Sequence, residues 1–339
     1  MLTVEENKIL KRILYDENEN PNMPTFPITP TFRINIPSFS NIWLKDESKN
    51  GITGTQKDRM SWEIVMTYKD ILLTKKENDI HLPHMSMISA GTAALAIQYQ
   101  MIRYGLPNLK VLIDNKIEKK DLEKLEKAGC IIYKTDLSKK CLTPKEILQL
   151  TDNENGFDIT SNWAFDPTTR FYDWLSYEIL NQNPKYVFIP YGSGQTFENI
   201  LTINKIVVTS EKHDRVFNGN IDILRKCNFI GATPKNHNTK AVKLYAPYLP
   251  FRQFSKQRIK LHICRGHCGK ETGVIFFEEK FLEQAIEFAK KNGVEAEPSA
   301  LGGLALFFQI KDKIPKDKKI LILSTGKTRM PNFKLHEKF

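Results

Sequence analysis

The sequence predicts an α/β protein of two doubly wound domains with parallel-rich sheets. From His84 the chain alternates strands and helices at lengths that suit parallel crossover units. Several predicted strands run into turns of glycine, serine and threonine, and ligands in such sheets bind where strands end and helices begin. The 339 residues are enough for two domains with buried cores.

Taken in order, Met1 to Tyr15 reads as a short amphipathic helix, with Val4, Ile9, Ile13 and Leu14 apolar. Asp16 to Pro30 is a loop rich in Asn and Pro. Ile42 to Glu47 alternates like a strand, and Gly51 and Gly54 then break the chain. After Asp58, the residues Met60, Ile64, Tyr68, Ile71 and Leu72 recur at helix spacing. His84 to Ser89 is a strand, and Thr92 to Tyr104 is a helix stopped by Gly105. Leu109 to Asp114, Ile117 to Ala128 and Cys130 to Tyr133 continue as strand, helix, strand. The polar stretch Thr151 to Gly156 reads as a crossover. It divides a smaller domain over 49–152 from a larger one over 1–48 and 153–339. Phe171 to Leu180 is a helix, and Lys185 to Pro190 is an apolar strand. Short strands are expected at Ile206 to Val208 and Lys260 to Ile263. Thr272 to Phe277 and Lys280 to Lys291 form a strand and a helix; Glu295 to Ala300 opens another helix. Lys319 to Leu323 is a final buried strand.

Hydrophobic content of 41% and charged content of 26% describe a globular chain. No window reaches the ~18 apolar residues that a membrane span needs, so no membrane partner is expected. Met1 to Asn20 is too charged for a secretory signal. Five scattered cysteines fit a reducing compartment, and a cytoplasmic protein is expected. The net charge of +11 comes from lysines interspersed with glutamates, as in Glu118-Lys119-Lys120-Asp121-Leu122-Glu123-Lys124, a solvated helix face. No basic run interleaved with aromatics points to nucleic acid.

Chemistry concentrates in four places. In Asn50-Gly51-Ile52-Thr53-Gly54-Thr55-Gln56-Lys57-Asp58-Arg59, the lysine stands at the mouth of a helix. A helix N-terminus disfavours a cation, so the Lys57 amine is easier to obtain neutral and nucleophilic. Ser89-Ala90-Gly91-Thr92 joins a strand to a helix N-terminus, where free N–H groups suit a carboxylate. The same turn is equally readable as an ordinary strand-to-helix connection with Thr92 as N-cap. Gly192-Ser193-Gly194-Gln195-Thr196 lets successive N–H groups and two hydroxyls surround a phosphate. Thr325 ends the last strand before Gly326. A further cluster, His262-Ile263-Cys264-Arg265-Gly266-His267-Cys268, has metal-binding residue types. It lacks a second ligand pair at zinc spacing, so no metal is expected.

Leu44-Lys45-Asp46-Glu47 followed by Thr53-Gly54-Thr55-Gln56-Lys57-Asp58-Arg59 resembles the lysine loop of the fold-type II pyridoxal-phosphate enzymes, the tryptophan synthase β-subunit superfamily. The resemblance implies that Lys57 holds pyridoxal 5'-phosphate as a Schiff base. It implies that Ser89, Ala90, Gly91 and Thr92 grip the substrate carboxylate, with Thr92 where the family has an asparagine that also meets the cofactor's ring oxygen. Gly192 to Thr196 resembles the phosphate cup, with Gln195 in place of a glycine and therefore strained if its φ must be positive. Thr325 matches the residue that bonds the pyridine nitrogen, and Glu297-Pro298-Ser299-Ala300 matches another family segment. Ile28-Thr29-Pro30-Thr31 and Trp163-Ala164-Phe165-Asp166-Pro167 resemble family segments more loosely.

These motifs stand in family order from about Ile28 to Lys327. What they imply is a homodimeric enzyme that eliminates or replaces a group at the β or γ carbon of an amino acid. The Ser-Thr-Gly end and Tyr177-Glu178-Ile179 look closest to threonine synthase. The alternative is a degenerate member that binds the cofactor, or a small anion, without turnover.

Overall fold

The computed structural model describes residues 2–19, 28–75, 82–89, 91–137, 141–160, 171–210, 216–245 and 251–333. Its elements are α1 (Val4–Glu19), β1 (Thr31–Arg33), β2 (Ile42–Asp46), α2 (Lys57–Lys75), β3 (Met85–Ile88), α3 (Thr92–Tyr104), β4 (Lys110–Asp114) and α4 (Lys119–Lys127). They continue with β5 (Ile131–Thr135), α5 (Pro144–Leu150), β6 (Phe157–Asp158), α6 (Asp173–Leu180), β7 (Tyr186–Pro190), α7 (Gln195–Thr209) and α8 (Ile221–Leu224). The remainder is β8 (Asn228–Pro234), α9 (Phe251–Cys264), β9 (Gly273–Phe277), α10 (Glu279–Lys291), α11 (Gly302–Ile310) and β10 (Ile320–Ser324).

Two sheets result, in the strand orders β1-β2-β10-β7-β8-β9 and β5-β4-β3-β6. Every pairing is parallel except the edge strand β1 on β2. The α/β architecture is therefore as the sequence predicts. We propose that the two sheets mark the two expected domains.

Parallel strands are covered on both faces, so their side chains enter two cores. Along β10, Leu321 and Leu323 join one cluster, with Val187, Ile189 and helix α7. Ile320 and Ile322 join the other, with Phe188, Phe307 and helices α10 and α11.

Two expected strands are helix instead. Ile206 to Val208 is the last part of α7, and Lys260 to Ile263 lies in α9. On α7 the buried Ile200, Ile203 and Val207 fall three and four apart, so the helix period decides and the β-branched residues do not. Conversely, β8 was not expected. Its seven residues are buried on both faces, and Gly231 and Pro234 disguise it.

β2 departs from simple alternation, because its polar residues are buried too. Lys45, Asp46 and the following Glu47 are all at most 2% exposed. A charge network compensates them. The Arg59 guanidinium on α2 donates Nε to Glu47 (2.7 Å) and Nη1 to Glu178 on α6 (2.7 Å). Its Nη2 reaches Glu47 and Glu178, each at 3.0 Å, and the Thr29 hydroxyl at 3.1 Å. The Lys45 ammonium donates to Glu178 and to the Thr29 carbonyl, and Thr29 donates to Glu47.

Burial alone would push the Glu47 carboxyl up, but Arg59 and Lys45 outweigh it and hold it below its ordinary value. Burial pulls Lys45 down, with Glu178 and Glu47 opposing. Removing one partner leaves the others charged and buried. Glu178→Ala should therefore cost about 3–5 kcal/mol of unfolding free energy in urea titration. Glu283→Ala, which breaks the exposed pair with Lys240, should leave the urea midpoint nearly unchanged.

Candidate active site

The four predicted loops lie at the carboxyl ends of β2, β3, β7 and β10. The lysine loop wraps around a side chain of the next helix. The Asp58 carboxylate accepts the N–H groups of Ile52 (2.9 Å) and Thr53 (2.8 Å), and the Thr53 hydroxyl. Burial pushes the Asp58 carboxyl up to about 6, while these donors pull the other way. Lys57 is the first residue of α2, as the sequence implied, and is half-buried. Its Nζ donates to the phenol oxygen of Tyr172 at 3.0 Å. Among the described residues no carboxylate lies in salt-bridge range of Lys57.

This loop is fastened to the end of β10. Thr55 and Gly326 form an antiparallel bridge, and the Gln56 N–H donates to the Thr325 carbonyl at 3.3 Å. Lys327 and Arg329 donate backbone N–H groups to Gly54 (3.0 Å) and Thr53 (2.7 Å). Lys57 and Thr325 are thereby brought to one seam. Gly326 has φ +97°, and a Cβ there would stand 2.1 Å from the Gly54 carbonyl oxygen. Only glycine fits.

At the end of β7, Gly192 and Ser193 lead into α7. Gly194 is its N-cap with φ 90°; at the start of this 15-residue helix the Gln195 N–H donates to the Ser193 hydroxyl at 3.5 Å, and Gln195 and Thr196 are buried. Gln195 begins the helix and is not among the non-glycine residues with positive φ, so the strain anticipated there does not arise. Thr196 follows it in the first turn. The segment Val242–Leu244 packs over Gly192, where a Cβ would meet the Lys243 carbonyl at 2.9 Å.

In the turn after β3 the helix cap falls one residue earlier than the sequence suggests. Gly91, not Thr92, is the N-cap of α3. The Ser89 hydroxyl accepts from the N–H groups of Gly91 (3.2 Å) and Ala94 (3.4 Å), and Ala90 lies outside the described residues. The Thr92 hydroxyl bonds the Thr328 hydroxyl at 2.7 Å and accepts from Lys243 Nζ at 3.1 Å. Lys243 is itself held by both oxygens of Glu297, at 2.7 and 2.9 Å, and Thr328 donates to Glu297 at 3.0 Å.

A sequence model described as pyridoxal-phosphate dependent enzyme matches residues 25–326. The chain belongs to this family. Its cofactor is pyridoxal 5'-phosphate. No curated protein matches the sequence. Among solved structures, the processed form of threonine deaminase isoform 2 from Solanum lycopersicum is 18% identical. It superposes at a TM-score of 0.60 over 97% of this chain and 92% of its own. The O-acetylserine dependent cystathionine beta-synthase from Helicobacter pylori is 15% identical, at 0.62 over 96% of each chain. O-ureido-L-serine synthase is 14% identical, at 0.62 over 95% of this chain and 92% of its own. At these identities the likeness shows the fold.

The residues present fit the cofactor of this family. The Lys57 Nζ meets the Tyr172 phenol oxygen, with no carboxylate in range among the described residues. The N-terminus of α7 has a glycine N-cap without a side-chain oxygen of its own and can receive a phosphate. The buried Ser324 hydroxyl, beside Thr325, has no hydrogen-bond partner.

Sequence reasoning missed Tyr172, Lys243 and Thr328. Tyr172 lies in an aromatic run that reads as core, and Lys243 in a stretch without a motif. Thr29, read only within a segment of loose family resemblance, proves to be an inner member of the charge network. The loop Trp163 to Pro167 lies outside the described residues. His262 and Cys264 do not alternate on a strand, because α9 carries them; the rings of His262 and His267 meet edge to face at 5.7 Å.

The seam between the lysine loop and β10 makes a sharp prediction. Gly326→Ala should lower stability by more than about 1 kcal/mol and weaken pyridoxal phosphate retention. Gly51→Ala, where a Cβ meets nothing within 4 Å, should change neither. Thermal unfolding and equilibrium dialysis of both variants would check this.

Proposed function

We propose that this chain catalyses elimination or replacement at the β or γ carbon of an amino acid, in the manner of threonine synthase and its relatives. One observation carries the reading. The Lys57 amine is partnered by a neutral phenol, in a loop fastened to Thr325. Lys57 would hold the cofactor covalently and, once displaced, take the α proton. Gly192, Ser193, Gly194, Gln195 and Thr196 would hold the phosphate through backbone N–H groups and hydroxyls. When bound, pyridoxal 5'-phosphate supplies an electron sink for negative charge at the α carbon. Thr325 would offer the pyridine nitrogen a neutral hydroxyl, which suits elimination better than a carboxylate would.

The substrate carboxylate would lie against Ser89, Ala90, Gly91 and Thr92. The enzyme would work as a cytoplasmic homodimer, a setting that suits its five free cysteines.

A second reading rests on Thr92. Its hydroxyl is tied to Thr328 and Lys243, and Ser89 already occupies donors at the start of α3. Such a protein would bind pyridoxal phosphate, or another anion, without turnover.

Two experiments test these readings. Lys57→Ala should abolish the borohydride-reducible adduct and leave binding of the phosphate group largely intact. An adduct that persists in this variant would remove Lys57 from its role. Thr92→Asn separates the two functional readings when ammonia, phosphate and thiol products are assayed with serine, threonine, cysteine, O-phosphohomoserine and diaminopropionate. Turnover that rises at least about tenfold, a gain of ~1.4 kcal/mol in the barrier, would show that threonine had impaired the site. Rapid wild-type turnover that the variant loses would show threonine to be a working specificity residue.

A further inference from the structure

We infer that Tyr172 is a positioning residue that orients the Lys57 amine; this rests on the reading of Lys57 given above. The phenol oxygen of Tyr172 accepts from Lys57 Nζ at 3.0 Å, and the ammonium lies 5.5 Å from the centre of the same ring. Tyr172 is 1% exposed and sits in the larger core, so its hydroxyl cannot turn to solvent. The phenol hydrogen has its own acceptor, the Met60 sulfur at 3.7 Å. The ammonium can only donate, so the phenol oxygen accepts from it; in the neutral amine the two groups can exchange these roles, and either way the contact holds the nitrogen in place. One tetrahedral position of the nitrogen is thus fixed on Tyr172.

The contact is held from both ends. Tyr172 is the N-cap residue of α6, and Lys57 is the first residue of α2. Two residues after Lys57, Arg59 donates to Glu178, six residues after Tyr172 on α6. The two helices are thus joined at two points, one ionic and one neutral. An ionic partner at Lys57 would hold the amine protonated. A phenol oxygen fixes its direction at a smaller cost to deprotonation.

The test uses the full chain stripped of cofactor. Pyridoxal 5'-phosphate is added, borohydride quenches the mixture at timed intervals, and mass spectrometry quantifies the adduct on the Lys57 peptide. The acylation rate of the same peptide across pH gives the fraction of neutral amine. In Tyr172→Phe the ring remains and the oxygen is lost. The ammonium then loses an acceptor, so the acylation midpoint should move to lower pH. Adduct formation per neutral amine should slow about fivefold, the effect of one hydrogen bond between neutral groups. The thermal midpoint should fall only slightly, as the loss of the hydroxyl's contacts requires, whereas a purely structural tyrosine would move the thermal midpoint and leave the acylation midpoint and the adduct rate alone. A ring-fluorinated tyrosine at position 172 keeps the shape and acidifies the phenol, which then ionises across the titration and holds the ammonium. It should move the acylation midpoint to higher pH, opposite to Tyr172→Phe, and it serves if the phenylalanine variant does not fold. An unchanged acylation midpoint and adduct rate in these variants would overturn the role of Tyr172 while leaving Lys57 in place. Failure of the wild-type chain to form an adduct at Lys57 would overturn both.

Discussion

The buried charges of Lys45, Glu47, Arg59 and Glu178 fix the frame on which the site is built. Two cations and two carboxylates sum to zero, and their mutual contacts replace the water they have lost. Ions without partners would be very costly at this depth, so β2, α2 and α6 can dock in few other ways. Arg59 is the centre of the arrangement, because a planar guanidinium can reach both carboxylates at once and a lysine ammonium could not present the same fork. Lys57 stands two residues before Arg59 on the same helix, so its place in the cleft follows from that docking.

The rest of the site follows from parallel strands. β2, β10 and β7 run side by side in one direction, so the loops after Asp46, Ser324 and Pro190 emerge on one edge. Backbone hydrogen bonds then draw the first two loops together, from Thr53 to Gln56 against Thr325 to Arg329. This seam tolerates almost no added volume at Gly326, and for that reason it can hold Lys57 and Thr325 in fixed relation.

The turn after β3 comes from the other sheet and needs its own attachment. Thr92 supplies one. Its hydroxyl is short, and it is spent on Thr328 and Lys243 where a longer amide could reach into the cleft. The Lys243 to Glu297 pair closes the same cluster. The two sheets are thus tied by a polar contact at the residue where this chain departs from the family pattern.

What the sequence determined by itself was whatever is local. The lysine loop, the glycine turns and the strand–helix alternation are contiguous stretches, and their order was enough to identify the fold, the cofactor and the candidate lysine. The helices that begin at Lys57 and Thr92 were legible because their periodicity acts over a few residues. Tertiary structure decided what depends on partners far away in the chain. Arg59 and Glu178 are 119 residues apart, and Lys57 and Tyr172 are 115 apart, so nothing in either neighbourhood announces the pairing. The same holds for Ile206 to Val208, whose β-branched side chains suit a strand until the packing of α7 makes them helix. Thr92 was visible as a departure, but its hydroxyl partners came from Lys243 and Thr328, and only folding places those beside it.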